Sequence, residues 1–145
     1  MWTRKQNRTD RDSRTTGGAP QADILEVRSR LLGEEHPDAL SAAEDLAVSY
    51  MQDGKFAEAE PQLVEVLAVS RRVQGAEHKA TLSIASSLAF AYSHNQDKLA
   101  AAEELQAGVL ATRRRVWGEG HPATLRAADD LAYYRHKASM RVAFP

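Results

Sequence analysis

The chain has 145 residues, enough for one domain, and a formal net charge of −1, which excludes the strongly basic balance that attracts nucleic acid or an anionic membrane. It has no cysteine, which excludes a disulfide scaffold, a thiolate metal site and a cysteine nucleophile. No apolar run approaches the length of a membrane span and no secretory signal is recognisable, so we expect a cytoplasmic protein.

Residues 1–20 are predicted to form a disordered basic tail, because they are polar and lack apolar periodicity. Five cationic side chains outnumber two acidic ones there: Arg4, Lys5, Arg8, Arg11 and Arg14 against Asp10 and Asp12. A mitochondrial transit peptide is the alternative, but the two aspartates and the missing apolar face argue against it. A short helix is then predicted over Gln21–Leu32.

An eight-residue pattern follows and occurs three times, beginning at Gly33, Gly75 and Gly118. The copies read GEEHPDAL, GAEHKATL and GEGHPATL, and their starts are 42 and 43 positions apart, a period typical of stacked repeats. Each glycine suits the end of one helix, because glycine adopts positive φ without a clash. Pro37 and Pro122 suit the first turn of the next helix. The second copy lacks the proline, so we expect a softer helix start there.

Pairs of helices are predicted between these boundaries, because apolar residues recur there at helical spacing. The predicted helices are Pro37–Gln52 and Lys55–Gln74, then one containing Leu82–Tyr92 and one over Lys98–Trp117, then Pro122 to about Lys137. The first helix of each unit carries an equivalent stripe: Leu40, Ala43, Leu46, Ala47 and Tyr50; Leu82, Ala85, Leu88, Ala89 and Tyr92; Leu125, Ala128, Leu131 and Ala132.

The repeats define the predicted domain organisation. A helical domain covers 21–138, with full repeats at about 34–75 and 76–118, half repeats at each end, and a C-terminal tail at 139–145. The last helix keeps Leu125, Leu131 and Ala132 without a partner helix to cover them. We therefore expect head-to-tail self-association or marginal stability, and a third interpretation is a fragment of a longer array.

The recurring motifs are Gly-x-x-His, then Leu-Ala-x-x-Tyr, then a start such as Lys55-Phe56-Ala57-Glu58-Ala59-Glu60. This combination resembles the tetratricopeptide repeat, in the variety of about 42 residues found in kinesin light chains, over residues 22–137. The resemblance implies an all-α, right-handed superhelical solenoid of antiparallel helix pairs. It also implies that the first helix of each pair lines a concave groove that holds a peptide.

Carried over by position, the groove residues come from three helices. They are Ser41, Glu44, Val48, Met51 and Gln52; Ser83, Ser86, Phe90, Ser93 and His94; and Arg126, Asp129, Tyr133, His136 and Lys137. We expect an apolar centre at Phe90, Tyr133 and Val48, flanked by acid at Glu44 and Asp129. Such a groove favours a peptide with an apolar anchor and Lys or Arg beside it.

Two residue sets allow a different chemistry. One histidine per unit, at His36, His78 and His121, suggests a metal site, but side chains one repeat apart do not converge on one ion, so a turn or helix-start role is favoured. The arginines near helix ends, among them Arg71 and Arg72, form either a basic ridge or the charge that offsets the helix dipole, and the second role is favoured.

The sequence predicts a protein–protein interaction module with a scaffold or adaptor role. It contains no recognisable nucleophile–base set and no phosphate-binding glycine loop, so we expect neither an enzyme nor a cofactor. It also lacks the heptad segment through which kinesin light chains pair with the motor chain, so the motor-adaptor role is not implied. The alternative is a regulatory or sensor segment of a larger protein, such as one linked to an ATPase.

Overall fold

A computed structural model describes residues 35–143 of the chain, together with Ala22, Glu26 and Gly33. The described helices are α1 (Pro37–Gln52), α2 (Phe56–Val73), α3 (Lys79–Ser93), α4 (Leu99–Trp117) and α5 (Pro122–Ala143), with a 3-10 turn at Gln96–Lys98. The all-α prediction is confirmed for this part of the chain. The predicted tail over 1–20 and the predicted helix over Gln21–Leu32, apart from Ala22 and Glu26, lie outside the described residues.

Most predicted helix boundaries agree with the structure to within one residue. The exception is α5, which was expected to end near Lys137 and continues to Ala143. Residues 139–143 contain neither proline nor glycine, so nothing in the sequence stops the helix there. The guanidinium of Arg141 also donates to the Gln96 carbonyl and to Asp97 Oδ1, which fixes this last stretch against the turn before α4. No helix in the described residues is long and apolar enough to cross a bilayer.

Glycines in the left-handed region separate the helices. Gly75 and Gly118, which lie between described helices, have φ of 100° and 88°, and this confirms the stop-and-start prediction at these two positions. Gly33, shortly before α1, has φ of 91°. A Cβ atom at any of these positions would meet no atom within 4 Å. The backbone conformation, and not a lack of space, therefore selects glycine.

The histidine of each copy caps the helix that follows. His36 Nδ1 accepts a hydrogen bond from the backbone N–H of Asp38 at 3.1 Å, and His78 Nδ1 accepts one from Ala80 at 3.0 Å. The third histidine, His121, does the same at 3.1 Å. The predicted helix-start role of these histidines is confirmed. The start of α3 keeps this cap although the second copy has lysine in place of proline.

The chain divides into two compact units, residues 1–74 and 75–145. In the first unit α1 packs against α2, with Leu40 and Leu46 buried on one helix and Leu63 and Leu67 on the other. The short turn that joins these two helices makes them antiparallel.

In the second unit α4 packs against both α3 and α5. Ala89, Ala102 and Tyr134, one from each helix, form a buried cluster, and Tyr92 and Leu105 pack against it. Each unit thus has a small core of its own.

Equivalent leucines of the three first helices are sheltered, as the repeat predicts: Leu46, Leu88 and Leu131 are 6%, 4% and 4% exposed. The predicted stripe on α5 is nevertheless partly wrong. Leu131 was expected to lack cover but is buried, whereas Leu125 is 54% exposed. Ala132 is also exposed.

The buried face of α5 consists of Thr124, Ala127, Leu131 and Tyr134. Their spacing of three, four and three positions marks one side of a helix. In α3 both this face and the neighbouring face with Leu82 are buried. Among the described helices α5 packs closely on α4, so it buries one face and leaves the face with Leu125 open.

Candidate functional site

The candidate residues of the first unit lie along α1 with different exposures. Ser41 and Gln52 are exposed, and Glu44 and Val48 are half-buried. Met51 is only 7% exposed, so its side chain belongs to the core of this unit and is not available to a ligand. One of the groove residues that the family resemblance implied in α1, Met51, is therefore a core residue.

The candidate residues of α3 lie on the side of the helix that bears Phe90, whose ring is 41% exposed. Ser83 and Ser86 are half-buried, and His94 is exposed at the end of the helix. Ser93 is 2% exposed, and its hydroxyl donates to the carbonyl of Phe90 at 2.6 Å. The Ser93 side chain therefore serves the end of the helix and is not free to contact a peptide.

The candidate residues of α5 are mostly exposed. Arg126, Asp129 and His136 are exposed, and Tyr133 is 54% exposed. Lys137 is half-buried. In this helix the residues transferred from the family do stand outside the core.

An open cleft of about 840 Å³ lies in the second unit, between the C-terminal end of α3 and the second half of α5. We refer to it as the α3–α5 cleft, and its lining residues are Ser93, His94, Gln96, Leu99, Tyr133, His136, Lys137, Met140 and Arg141. Five of these nine were predicted from the sequence. The remaining predicted residues of this unit do not line the cleft.

Sequence reasoning missed four of the lining residues for two structural reasons. Met140 and Arg141 belong to the part of α5 that was predicted to be a tail. Gln96 and Leu99 belong to the 3-10 turn and the start of α4, which family analogy does not assign to the groove. The sequence after Lys137 contains no helix-breaking residue, and this signal was missed. Because α5 continues, its next turn lies at the cleft beside the end of α3.

Cations of α5 satisfy the carbonyl groups at the end of α3. Lys137 Nζ donates to the Ser93 carbonyl at 2.7 Å and lies 5.5 Å from the centroid of the Tyr133 ring. Arg141 donates to the Gln96 carbonyl and, at 3.2 Å, to Asp97 Oδ1. The last carbonyls of a helix have no partner within the helix and carry partial negative charge, so the Lys137 contact stabilises the end of α3. The Arg141 contacts hold the 3-10 turn that follows it. They also fix the wall of the cleft.

The imidazole of His94 joins the exposed Phe90 ring to the cleft. The two ring centroids are 4.8 Å apart and the rings meet edge to face at 74°. His94 Nδ1 lies 3.0 Å from the Phe90 carbonyl. Phe90 does not line the cleft itself, but it holds the orientation of a residue that does.

The formally charged side chains that line the cleft are positive. Lys137 and Arg141 line it together with the imidazoles of His94 and His136, and the lining residues include no carboxylate. Asp97, which follows the lining residue Gln96, is paired with Arg141. Neither of the acids expected to flank the groove, Glu44 in the first unit and Asp129 on α5, is a lining residue.

A second group of charges lies beneath the first half of α5. Arg113 is 8% exposed and donates to the Ala123 carbonyl at 3.2 Å. Burial lowers the pKa of the Arg113 guanidinium and raises the pKa of the Asp130 carboxyl, while the attraction between the two opposes both changes. The hydrogen bond of Arg113 joins α4 to α5, and both groups lie outside the cleft. The described residues contain no cluster of His, Asp and Glu that could hold a metal ion.

The geometry defines a class of protein built from short helix pairs that repeat about every 42 residues. Two tetratricopeptide repeat family models match the chain, one over residues 38–101 and one over 81–123, and together they cover more than half of the sequence. The chain belongs to the tetratricopeptide repeat family, and its repeats are of the type found in kinesin light chains. Comparison with curated proteins gives no match.

Solved structures share this fold. The chain is similar to nearly identical TPR-like repeats assigned to a kinesin light chain of Podosopora anserina, with 27% identity, a TM-score of 0.77, and coverage of 82% of this chain and 56% of that one. A single-substitution variant of those repeats is 28% identical to this chain, with a TM-score of 0.70 and coverage of 85% of this chain and 57% of that one. BtubC (BKLC) from P. vanneervenii, at 23% identity, has a TM-score of 0.70 with coverage of 82% and 47%. The chain thus spans about half the length of the structures that it matches.

Proposed function

We propose that this chain is a protein-interaction module that binds a peptide segment of its partner in the α3–α5 cleft. The observation that carries the proposal is the cleft itself, where an aromatic ring that is 54% exposed, Tyr133, stands beside polar groups that the fold already holds in place. Partly apolar concave sites with a few fixed polar groups are the usual binding sites of proteins. An exposed tyrosine that lines such a site is a typical hot spot.

The charge of the peptide follows from the charges of the cleft. The sequence predicted a peptide with Lys or Arg beside an apolar anchor, because Glu44 and Asp129 were expected at the groove. Neither residue lines the cleft, whereas the cations Lys137 and Arg141 do. We therefore propose an apolar anchor flanked by carboxylates, and the basic peptide is the competing hypothesis.

Two peptide series with the same aromatic anchor distinguish these hypotheses, one flanked by Asp and Glu and the other by Lys and Arg. Affinity for the purified chain is measured by fluorescence polarisation at low and high salt. The proposal predicts tighter binding of the acidic series and a weaker preference at high salt. Tighter binding of the basic series would support the charges predicted from the sequence instead. Binding of neither series would contradict a peptide site in this cleft.

A matched pair of substitutions tests whether the peptide binds in the α3–α5 cleft. Tyr133 and Leu125 are both 54% exposed and both lie on α5, but Leu125 is not part of the cleft. Tyr133→Ala is expected to weaken peptide binding by about 10-fold or more, since hot-spot truncations cost about 2 kcal/mol. Leu125→Ala is expected to leave the affinity unchanged. An equal loss in both variants would place the peptide elsewhere.

A second candidate function is self-association through the open face of α5. Leu125 is exposed on this face, and Val116 near the end of α4 is 41% exposed. Sedimentation of the chain over a wide concentration range tests it, with Leu125→Glu as the variant that should remain monomeric. A monomer at all concentrations would contradict this candidate and would leave the peptide proposal intact.

The scaffold, adaptor or regulatory role that such binding serves depends on the whole protein. The chain spans about half of the structures that it matches, so a role as a regulatory or sensor segment within a larger protein is the alternative to an independent adaptor. Both roles use the same peptide contact.

A further inference from the structure

Three of the five histidines of the chain occupy the same place in the fold. His36, His78 and His121 are the residues immediately before α1, α3 and α5. The Nδ1 atom of each accepts a hydrogen bond from the backbone N–H two residues later, at 3.1, 3.0 and 3.1 Å. Asn, Asp, Ser and Thr are the usual residues at this position, so three histidines in equivalent places form a specific feature of this chain.

This cap works with neutral imidazole only. The Nδ1 atom accepts a hydrogen bond when the ring proton is on Nε2, and uptake of a second proton turns Nδ1 into a donor. A donor that faces a backbone N–H leaves that N–H without its partner. The positive charge also stands at the helix N-terminus, where the helix dipole disfavours it. Protonation therefore removes the cap and adds a repulsion.

Charged neighbours of the first two caps are already paired. Glu35 precedes His36 and binds Arg72 from the last turn of α2. Glu77 precedes His78 and binds Arg115 from the last turn of α4. The next charges along the helices differ, with Asp38 after His36 and Lys79 after His78.

The cap on α5 has an aromatic neighbour. The ring of His121 stacks on the ring of Trp117, with centroids 5.4 Å apart and an angle of 30° between the planes. The nearby Glu119 carboxylate lies 3.5 Å from Arg114 Nε. The stacking keeps the imidazole in its capping orientation.

The other two histidines lie in different surroundings. His94 Nδ1 is 3.0 Å from the Phe90 carbonyl oxygen and 3.4 Å from the Ser93 hydroxyl oxygen, so it faces oxygen atoms and not a backbone N–H group. His136 is exposed in the α3–α5 cleft. These two residues therefore provide a matched control for the three caps.

We propose that the three histidine caps make the stability of the repeats depend on pH, such that acidification loosens the first helix of every repeat. The sign follows from the geometry, because each cap needs an Nδ1 atom that accepts a hydrogen bond, and a protonated Nδ1 atom cannot accept one. Stability then rises with pH and is lost on acidification, over the range of about pH 8 to 5 in which imidazole takes up its second proton. This inference is independent of any ligand in the cleft.

Replacement by asparagine tests the proposal, because asparagine is a good cap and does not titrate. The triple variant carries His36→Asn, His78→Asn and His121→Asn, and the control carries His94→Asn and His136→Asn. Thermal midpoints are compared at pH 8 and pH 5.5. The wild-type chain and the control are expected to lose about 5–10 °C, and the triple variant less than half of that. A triple variant whose thermal midpoint falls as far as that of the wild-type chain would overturn the proposal. A control whose thermal midpoint falls as little as that of the triple variant would overturn it as well.

A second measurement uses the wild-type chain alone. In an NMR titration, the amide resonances of Asp38, Ala80 and Ala123 are expected to shift together with the ring resonances of the histidines that accept from them. Amide resonances that stay in place while the rings titrate would show that the caps do not respond to pH. This result would overturn the proposal even if a variant failed to fold.

Discussion

The guanidinium of Arg115, in the last turn of α4, donates to the carboxylate of Glu77, which lies just before α3. Arg72 and Glu35 form the same pair in the first unit. The two arginines are 43 positions apart and the two glutamates 42, so the ion pair belongs to the repeat. In the third copy Gly120 stands in the place of the glutamate. The arginines near helix ends, predicted to offset the helix dipole, thus also have specific carboxylate partners.

These ion pairs are expected to contribute little, because both partners are exposed. Arg115→Gln should lower the thermal midpoint slightly at low salt, and the difference should vanish in about 1 M salt. A loss that persists at high salt would mean that Arg115 acts through packing. The hydrogen bond and charge of Arg72 lower the pKa of Glu35 below its ordinary value of 4.5. Stability from that pair is therefore present above about pH 4.5 and is lost on further acidification.

Leu131 and Leu125, on the same helix, are expected to respond very differently to truncation. Leu131 is 4% exposed against α4 and Leu125 is 54% exposed on the open face. Leu131→Ala should lower the free energy of unfolding by about 2–4 kcal/mol, and Leu125→Ala by less than about 0.5 kcal/mol. Urea denaturation of the two variants measures the difference. Similar losses would indicate that a second copy or another segment covers Leu125.

Two glycines are expected to respond to alanine with opposite signs. Gly75 has φ of 100°, where an L-residue is strained, so Gly75→Ala should destabilise the chain by about 1–2 kcal/mol. Gly108 lies inside α4 with open space around its Cα, so Gly108→Ala should stabilise it by about 1 kcal/mol. Denaturation midpoints of the two variants measure both signs. A stabilising Gly75→Ala would contradict the helix-stop geometry of the repeated pattern.

A buried polar residue distinguishes the second unit from the first. Gln106 of α4 is fully buried and donates to the Ala127 carbonyl at 3.3 Å, but its Oε1 has no hydrogen-bond partner among the described residues. Leu63 occupies the corresponding place in α2 and is also fully buried. Gln106→Leu is therefore expected to be neutral or to stabilise the chain by about 1 kcal/mol.

The reciprocal change is the control for this position. Leu63→Gln buries an amide among apolar side chains and should destabilise the chain by about 2–4 kcal/mol. Both variants are measured by urea denaturation. A destabilising Gln106→Leu would show that the hydrogen bond to the Ala127 carbonyl matters more than the orphaned amide oxygen.

Sequence reasoning predicted the helix pairs well, because the signals are local and repeat three times. Positive φ at Gly75 and Gly118 and the capping role of His78 follow from the residue types at the ends of helices. The exposure of Leu125 also follows from the number of predicted helices. For Leu131 sequence reasoning led to two conflicting expectations, because its equivalence to Leu46 and Leu88 predicted burial and the missing partner helix predicted exposure. The structure agrees with the first, since this face of α5 meets α4.

The cleft was harder to predict, because its lining depends on where α5 ends and on the side chains that the end of α3 attracts. Tyr133 and His136 were found from their repeat positions, whereas Arg141 was assigned to a tail. Met51 and Ser93 were transferred to the groove by analogy, but local packing and a helix-end hydrogen bond occupy them. Charges at the cleft thus depend on tertiary contacts that a repeat alignment does not contain.

The most direct test of a peptide site in the α3–α5 cleft is NMR chemical-shift mapping of the chain during titration with the acidic, aromatic-anchored peptide. The largest changes are expected at residues 93–99 and 133–141, which surround the cleft. Changes that centre on the open face around Leu125, or on the buried side of α4, would contradict the account.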